Sequence, residues 1–268
     1  MKVSFKRALV AALMLSAVPT AASAADADRS SSYPAINTGM AIPSEARAAV
    51  GAHIPMRGRY VLVDAASARL YMIEDGAVHD SMRVIVGKPT AATPELRTSL
   101  TYATLNPYWH VPTDLARTLT APNVLKYGPS YLRERGYEVL SSFGPGGRVI
   151  DPESVDWQAV ADGGLTAYVR QKPGPANSMG EMKFSLAAGG QIYLHDTPRK
   201  ELFEAEDRSL SAGCIRLEDA DRFASWLLGD DPTLSSDVPE QHVALPGAVP
   251  ITITYLDPSA QMQLAALQ

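Results

Sequence analysis

Residues 192–217 read IYLHDTPRKELFEAEDRSLSAGCIRL, and they contain a histidine after an apolar stretch and the only cysteine of the chain. The apolar stretch predicts a strand that closes at His195. Gly213 predicts a tight turn immediately before Cys214. Because a thiol has an ordinary pKa of about 8.5, a nearby imidazole can activate it by taking its proton.

A single cysteine is open to three interpretations when it is considered alone. Cys214 cannot form an internal disulfide, so it is a buried inert thiol, an intermolecular partner or a reactive nucleophile. Its surroundings favour the last of these, because Gly213 lets consecutive backbone N–H groups face a developing oxyanion. A nucleophile, a base and oxyanion donors are the set that acyl transfer needs.

The segments on either side of residues 192–217 are predicted to be mainly strands, since short apolar runs alternate with turn residues. Asp75-Gly76 is a strong hairpin signal among them. A helix is expected for Glu218–Leu228, which has acidic residues in its first turn and Gly229 beyond its end. The predicted strands are Tyr60–Asp64, Arg69–Ile73, Val78–Val86, Thr98–Leu105, Ala167–Gln171, Glu181–Leu186, Gln191–His195 and Pro250–Leu256.

A helical insertion interrupts the predicted strands. Helices are expected for Asp114–Lys126, for Pro129–Arg135 and for a short stretch that opens at Asp151. Each is too short to form its own core, so we expect the insertion to lie over the sheet rather than to form a separate domain. The predicted fold class is mostly β, mixed with this α insertion.

The composition and the first residues favour an exported globular protein. The chain has 268 residues, is 46% hydrophobic and carries a formal net charge of −5, which argues against the basic surface of a nucleic-acid-binding protein. Three cations precede the apolar run Ala8–Val18, and Ala22-Ser23-Ala24 supplies a cleavage pattern. We expect a signal peptide over 1–24 that is cleaved after Ala24, with a retained membrane anchor as the alternative. No membrane span is expected after cleavage.

The sequence resembles the YkuD-type L,D-transpeptidases, which combine a histidine, a loop and a Ser-x-Gly-Cys-[Ile/Val]-Arg turn. The likeness covers residues 60–256 and is greater to the YcbB-like branch of that family. It implies a YkuD-like β-sandwich or barrel-like catalytic domain whose helical insertion, residues 106–180, forms a lid. The segments that carry the likeness are Tyr193–Pro198, Leu202-Phe203, Ser211–Arg216, Asn106–Pro112 and Pro173–Gly180.

The resemblance also implies a division of the chain. A linker or arm, residues 25–59, precedes the catalytic domain, residues 60–257, and a C-terminal tail, residues 258–268, follows it. The YcbB-like branch commonly carries additional scaffold and peptidoglycan-binding domains, for which this chain has no room. Substrate docking is therefore expected from the lid, the arm or a periplasmic partner protein.

The resemblance gives particular residues their roles. Cys214 is expected to be the nucleophile and His195 its base, with the Asp196 backbone carbonyl orienting the imidazole and the Gly213 N–H contributing to an oxyanion hole. Most family members have a second histidine where this chain has Ala212, so His195 must act alone. No cofactor and no metal site are expected. The residues expected to contact substrate are Tyr193, Arg216, Ser211, Trp109 and Met179.

Other interpretations of these substrate contacts stay open. Tyr193 and Trp109 are also typical of packed core aromatics. Arg216 is equally suited to a structural ion pair that braces the turn and to a bidentate contact with a substrate carboxylate.

The activity that the resemblance implies is L,D-transpeptidation of peptidoglycan in the periplasm, with carbapenems as inhibitors. Cys214 would form an acyl-enzyme at the diaminopimelate of a tetrapeptide stem, release D-alanine and pass the acyl group to the amine of a second stem, which gives a 3–3 cross-link. The same acyl-enzyme would also serve a carboxypeptidase or endopeptidase, D-amino-acid exchange or lipoprotein attachment.

Two other classes of protein are less consistent with the sequence. A non-catalytic peptidoglycan-binding protein would be free to lose Cys214 or His195, and both are present. A papain-like protease places its cysteine near the mature N-terminus and its histidine far downstream, whereas here the histidine comes first and the gap is short.

Overall fold

The structure is a computed structural model that describes residues 41–42, 44, 47–48, 54–188, 192–229 and 237–267. The expected signal peptide, residues 1–24, lies outside the described residues, as does most of the arm. The strands are β1 (Arg59–Asp64), β2 (Arg69–Glu74), β3 (Ala77–Gly87), β4 (Leu96–Leu105), β5 (Trp109–His110), β6 (Tyr137–Leu140), β7 (Val149–Ile150), β8 (Tyr168–Gln171), β9 (Met182–Leu186), β10 (Leu194–His195), β11 (Ser209–Ser211), β12 (Ile215–Leu217) and β13 (Gln241–Thr254).

The first strands form a meander because tight turns join them. Asp75 and Gly76 have φ values of 49° and 76° between β2 and β3. Two central residues with positive φ are typical of the type I′ hairpin, whose twist matches that of the flanking strands. The hairpin predicted from the Asp-Gly pair is confirmed.

The main sheet has nine strands and closes on itself. Its order is β11-β3-β12-β10-β9-β4-β13-β1-β2, and β2 also pairs with β3. This additional pairing joins the two sides of the sheet, so the predicted fold class, mostly β and barrel-like, is confirmed. The first strand, β1, lies beside the last, β13, with Val61 paired to Ile251.

Five polar side chains lie in register across the middle of this sheet. Arg216 on β12 pairs with His195 on β10, and His195 pairs with Lys183 on β9. Lys183 pairs with Thr104 on β4, which pairs with His242 on β13. Because directly paired residues project from the same face of a sheet, these five side chains, which we call the polar row, share one face.

The hydrophobic core lies on the opposite face. Helix α5 (Ala220–Leu228) covers it, and Phe223 meets Phe184 edge to face with ring centroids 4.9 Å apart. The Asp219 side chain caps this helix by accepting from the Arg222 N–H, and Gly229 follows its end. The sheet residues that alternate with the polar row are buried here: Ala103, Phe184, Leu194, Ile215 and Val243.

A second buried cluster covers the outside of β1 and β2. It contains Tyr71, Ala260 and Leu264 together with two arm residues, Ile42 and Ile54. Residues 258–268, expected to be a C-terminal tail, contain helix α6 (Pro258–Ala265), which contributes Ala260 and Leu264 to this cluster. The Asp257 side chain starts the helix by accepting backbone N–H groups at its first turn.

The insertion contains strands as well as the predicted helices. Strands β5, β8, β6 and β7 form a four-stranded antiparallel sheet in that order. The helices are α1 (Thr113–Leu115), α2 (Ala121–Tyr127), α3 (Ser130–Glu134) and α4 (Trp157–Asp162), and a π-helical turn, Ala116–Thr120, joins α1 to α2.

The insertion has a buried core that its helices and strands form together. Val111, Val124, Leu132, Val139 and Trp157 are buried in a cluster separate from the core of the main sheet. The helices are short, as expected, but the small sheet supplies a second layer against which they bury apolar side chains. The insertion is therefore a mixed α/β unit rather than a helical segment.

Candidate active site

His195 is buried and held by backbone carbonyls. Its Nδ1 lies 2.5 Å from the carbonyl oxygen of Asp196. Since a carbonyl only accepts, Nδ1 carries the proton of the neutral ring and Nε2 keeps its lone pair. Burial lowers the pKa of His195 to about 4, although hydrogen bonds with the Asp196 and Met179 backbones oppose this effect.

Cys214 lies on the turn between β11 and β12, next to the strand that carries His195. The Ile215 N–H donates to the Tyr193 carbonyl at 2.9 Å, and Leu194 pairs with Ile215. Parallel pairing of β10 and β12 therefore brings the cysteine turn and the histidine strand side by side. Cys214 is partly exposed.

The thiol and the imidazole are both uncharged at neutral pH. Burial raises the pKa of Cys214, whereas a hydrogen bond with the Tyr193 backbone and the charge of Arg216 lower it less strongly. The pKa of His195 is shifted in the opposite direction, to about 4. A neutral imidazole can accept a proton, so this pair is suited to general-base activation of the thiol during attack rather than to a preformed thiolate.

Hydroxyl groups hold the cysteine turn from two sides. The Ser211 Oγ accepts from the Gly213 N–H at 3.1 Å and donates to the Cys214 carbonyl at 2.6 Å. From the loop after β3, the Thr93 Oγ1 donates to the Gly213 carbonyl at 2.9 Å and accepts from the Gly87 N–H at 2.8 Å. Thr93 is 1% exposed, and nothing in the sequence around it indicates this contact.

These contacts correct two expectations. The Gly213 N–H, which was expected to face an oxyanion, is directed at the Ser211 hydroxyl in this structure. Ser211, which was expected to contact substrate, is buried, and its hydroxyl both donates and accepts within the turn. Gly213 has a φ of 115°, and its carbonyl is already bonded, so both residues shape the turn that presents Cys214.

Arg216 is a half-buried cation beside Cys214. Burial lowers its pKa, the charge of Arg199 lowers it further, and Cys214 raises it. Among the described residues no carboxylate pairs with Arg216, so the structure does not supply the ion pair that the sequence left open. An incompletely paired guanidinium next to the thiol is suited to binding an anionic group.

Tyr193 directly precedes β10 and is half-buried. Burial raises its pKa first, and the nearby Cys214, Tyr102 and Glu240 raise it further. The Lys183 Nζ lies 5.9 Å from the centre of its ring. Tyr193 is therefore close to the thiol and is not one of the residues of the main core.

Trp109 takes the packed position that the sequence left open, and Met179 is largely buried. Trp109 is partly buried against the core of the insertion, with its ring 6.2 Å from that of Tyr137. The Met179 side chain is only 5% exposed, so it offers little surface to a substrate. The backbone of Met179 hydrogen-bonds His195 instead.

The loop that carries Met179 is fixed by a buried amide that sequence reasoning missed. The Asn177 Nδ2 donates to the carbonyls of Pro107 and Lys172, and its Oδ1 accepts from the Met179 N–H at 2.7 Å. Asn177 is 1% exposed. Its side chain thus ties both ends of the insertion together and sets the Met179 peptide against the imidazole.

The Asp196 carboxylate ties the same loop to the strand of His195. Its Oδ2 accepts from the Glu181 N–H at 3.0 Å, and its Oδ1 pairs with the Lys200 Nζ at 2.6 Å. A Cβ at Gly180 would lie 2.1 Å from that Oδ2, so only glycine fits there. Asp196 therefore holds the imidazole through its carbonyl and the loop through its carboxylate.

Three of the other histidines, His79, His110 and His242, are exposed, and His53 lies outside the described residues. The described part of the chain holds no group of three or more His, Cys, Asp or Glu side chains that could bind a metal ion. None of the helices in the described ranges is long and apolar enough to cross a membrane.

Comparison with known proteins identifies a family. The profile of the YkuD family, described as an L,D-transpeptidase catalytic domain, matches residues 58–247. A Haemophilus influenzae protein described provisionally as an L,D-transpeptidase is 36% identical over 168 residues, which are 63% of this chain. The match spans only 33% of that longer relative.

Solved structures give weaker likenesses. The L,D-transpeptidase from Mycobacterium smegmatis is 15% identical over 73% of this chain and 58% of its own, with a TM-score of 0.33. The E. faecium L,D-transpeptidase catalytic domain acylated by ertapenem is 13% identical over 72% of this chain and 98% of its own, also with a TM-score of 0.33. Likenesses at these TM-scores do not bear on the chemistry of the site.

Proposed function

Because the chain belongs to the YkuD family of L,D-transpeptidase catalytic domains, we propose that it is a cysteine acyltransferase that cross-links peptidoglycan peptide stems. The observation that carries the proposal is the parallel pairing of β10 with β12, which puts the strand of His195 beside the turn of Cys214. A partly exposed thiol beside a neutral imidazole is the arrangement that acyl transfer needs.

The first step forms the acyl-enzyme. The Cys214 sulfur attacks the carbonyl at the L-centre of diaminopimelate in a tetrapeptide stem, and His195 takes the thiol proton as the C–S bond forms. The tetrahedral intermediate collapses, the C–N bond to the terminal D-alanine breaks, and the proton passes from His195 to the leaving amine. The Asp196 carbonyl keeps the imidazole in the tautomer that accepts the proton at Nε2.

The second step transfers the acyl group to an amine. The side-chain amine of a second stem attacks the thioester carbonyl and loses a proton to His195, and the Cys214 sulfur leaves and is reprotonated. The product is a 3–3 cross-link. Water in place of the amine would give a carboxypeptidase or endopeptidase, a free D-amino acid would give exchange, and a lipoprotein lysine would give attachment.

Arg216 and Tyr193 are the substrate contacts that the geometry supports best. The absence of a carboxylate partner for Arg216 among the described residues favours a role in binding a carboxylate of the donor stem. Tyr193 lies beside the thiol and would limit the space around the acyl group. Trp109 would act from the insertion, which we propose covers the site as a lid.

We also place the chain in the YcbB-like branch and in the periplasm. Ala212 in place of a second histidine and the large insertion between the two halves of the sheet both support that branch. The periplasmic location depends on the signal peptide expected over 1–24. We propose that the insertion, the arm or a partner protein docks the enzyme to peptidoglycan.

Analysis of the products formed from muropeptides tests the reaction. The mature protein is incubated with disaccharide tetrapeptides and the products are resolved by mass spectrometry. Tetrapeptide–tripeptide dimers that carry a diaminopimelate–diaminopimelate bond are the expected result. If tripeptide is the sole product, the reaction is hydrolysis rather than cross-linking. If the substrate stays unchanged in every condition, the enzymatic proposal is refuted.

Covalent labelling tests the nucleophile. A carbapenem is expected to acylate the wild-type protein once, with a mass shift that maps to the peptide of Cys214. The variant Cys214→Ala should remain folded, as judged by its thermal transition, and should take up no label. Equal labelling of the two proteins would refute the assignment of Cys214.

A further inference from the structure

The polar row places a cation on each side of His195. Arg216 pairs with His195 from β12, and Lys183 pairs with it from β9. Residues that are directly opposite in an antiparallel pair have Cβ atoms about 5 Å apart. The imidazole is thus flanked in one plane by a guanidinium next to the nucleophile and by an ammonium on the far side.

Lys183 has hydrogen-bonding capacity to spare. Its side chain is 14% exposed, and its Nζ donates to the Glu240 Oε1 at 2.9 Å. An ammonium has three donors, and this is the one bond that Lys183 makes within the described ranges. A largely buried ammonium is costly unless its donors are satisfied, so this position favours a second oxygen ligand.

Lys183 and Cys214 both lie near the side chain of Tyr193. Its Nζ lies 5.9 Å from the centre of the Tyr193 ring, and the pKa of Tyr193 is raised by both Cys214 and Glu240. Glu240 also accepts the Tyr108 N–H at 2.6 Å, which fixes its carboxylate at the start of the insertion. Lys183 therefore lies beside Tyr193, on the same sheet face as His195, and pairs with Glu240.

We propose that Lys183 binds the carboxylate of the amine acceptor, so that the enzyme selects acceptors in which the reacting amine and a carboxylate share one carbon. This inference rests on the proposed function. In such an acceptor the carboxylate is two bonds from the amine nitrogen, so its cation must lie next to the base that takes the amine proton. Lys183 is the cation that pairs with His195 on the side away from Arg216.

The two cations then serve the two substrates separately. Arg216 holds the donor stem beside Cys214, and Lys183 holds the acceptor on the opposite side of the imidazole. During transfer the acceptor nitrogen forms the new C–N bond, the C–S bond breaks, His195 receives the amine proton and the thiolate is reprotonated. Lys183 exchanges no proton in this step and acts on the choice and position of the acceptor.

A competition between two matched acceptors tests the inference. Wild-type acyl-enzyme, formed from a tetrapeptide donor, is offered D-methionine and 3-(methylthio)propylamine, which differ only in the carboxylate. We expect wild type to prefer D-methionine by roughly ten- to a hundred-fold, the range of one hydrogen bond to a charged group. In Lys183→Met the preference should fall to near one, and Lys183→Arg should restore part of it.

Two measurements separate this role from a structural one. Acylation of Cys214 by a carbapenem reports the first half of the reaction, and Lys183→Met should retain it. Glu240→Gln removes the negative charge but keeps an amide oxygen that can accept from the Lys183 Nζ, so the ammonium should stay in place and the preference for the carboxylate should remain. If Glu240→Gln loses the preference as fully as Lys183→Met does, the pair only clamps the insertion and the inference is wrong.

The remaining outcomes are also decisive. Equal transfer to both acceptors by the wild-type enzyme overturns the inference. An unchanged preference in Lys183→Met also overturns it, and so do equal losses of the transfer rate to the two acceptors. If wild type transfers to neither acceptor nor to a second stem, the proposed function fails instead. The two failures are thus distinguished by the wild-type enzyme alone.

Discussion

At the scale of single residues, the charge states of Cys214 and His195 determine how the thiol responds to pH. Because burial raises the pKa of Cys214, less thiolate is present at any pH than for an ordinary cysteine. We expect the rate of alkylation by iodoacetamide to rise steadily with pH through pH 9, with no reactive fraction at low pH. Mass spectrometry of samples that are quenched at set times measures this rate.

The urea-unfolded protein supplies the reference for that titration. There the same cysteine should titrate near its ordinary pKa of about 8.5, below the folded value. A plateau of reactivity in the folded protein that extends down to pH 6 would show a preformed thiolate–imidazolium pair. Such a pair would contradict the neutral resting state, in which His195 stays unprotonated until the pH approaches 4.

Thr93 gives a second prediction at this scale. Thr93→Val keeps the shape of the side chain but leaves the Gly213 carbonyl without its hydroxyl donor in a buried position. A lost partner of this kind costs about 1–3 kcal/mol, part of which we expect as a shift of the cysteine turn. The maximal rate of acylation by a carbapenem should fall roughly ten-fold, with little change in the concentration at half-maximal rate.

A conservative variant controls for general destabilisation. Thr93→Ser keeps the hydroxyl and should restore most of the rate, although it removes a buried methyl group. If the serine variant is as slow as the valine variant, the methyl group rather than the hydrogen bond matters, and Thr93 does not position the turn.

At the scale of elements, the contact between Gly180 and Asp196 couples the insertion to the strand of His195. A side chain at Gly180 would force the Asp196 carboxylate away, and the carbonyl of the same residue orients the imidazole. We expect Gly180→Ala to lower the rate of acylation by at least about ten-fold, which corresponds to about 1.4 kcal/mol in the activation barrier.

Gly136→Ala is the matched control. Both glycines have a φ between 60° and 70°, where an L-residue costs about 1–2 kcal/mol, but a Cβ at Gly136 meets no atom within 4 Å. The free energy of unfolding from urea titrations should fall by similar amounts in the two variants. Only Gly180→Ala should lose acylation activity. Equal activities would show that Asp196 can move without disturbing His195.

Local signals made part of these elements predictable. The Asp75-Gly76 hairpin and the helix before Gly229 follow from residues that are adjacent in sequence, and both are confirmed. His195 and Cys214 could be singled out because one short motif carries both. The pairing of Lys183 with His195 and the bonds of Thr93 could not be foreseen, since they depend on strand register and loop positions that no local pattern specifies.

At the scale of the whole molecule, helix α6 belongs to the folded domain, and its removal should be costly. Leu264 is fully buried against the outside of the meander. Leu264→Ala should lower the free energy of unfolding by about 2–5 kcal/mol. Met262 on the same helix is 73% exposed, so Met262→Ala should change the free energy of unfolding by less than about 0.5 kcal/mol.

Urea denaturation followed by fluorescence gives both values, and acylation by a carbapenem below the transition gives the activity. Both variants should react at the wild-type rate, because Leu264 is buried in a cluster that includes no residue of the cysteine turn. If Leu264→Ala unfolds with the same free energy as wild type, residues 258–268 add no stability and are a tail.

Helix α6 and strands β6 and β7 were not predicted from the sequence. Short segments such as β6, β7 and α6 gain their stability from surfaces that other parts of the chain provide, so their own sequences specify them weakly. The family was predictable from residues 192–217 and is confirmed by the profile match. The architecture of the insertion was not, because its core forms only once four short strands have paired.

The pairing of β1 with β13 also constrains biosynthesis. Until residue 254 is available, β1 and β4 each lack a neighbour, and their edges are open to other unfolded chains. A chain that is still incomplete can therefore form the meander but not the ring of strands. A stalled or truncated polypeptide that ends before β13 is a substrate for chaperones and proteases, even though it already contains Cys214 and His195.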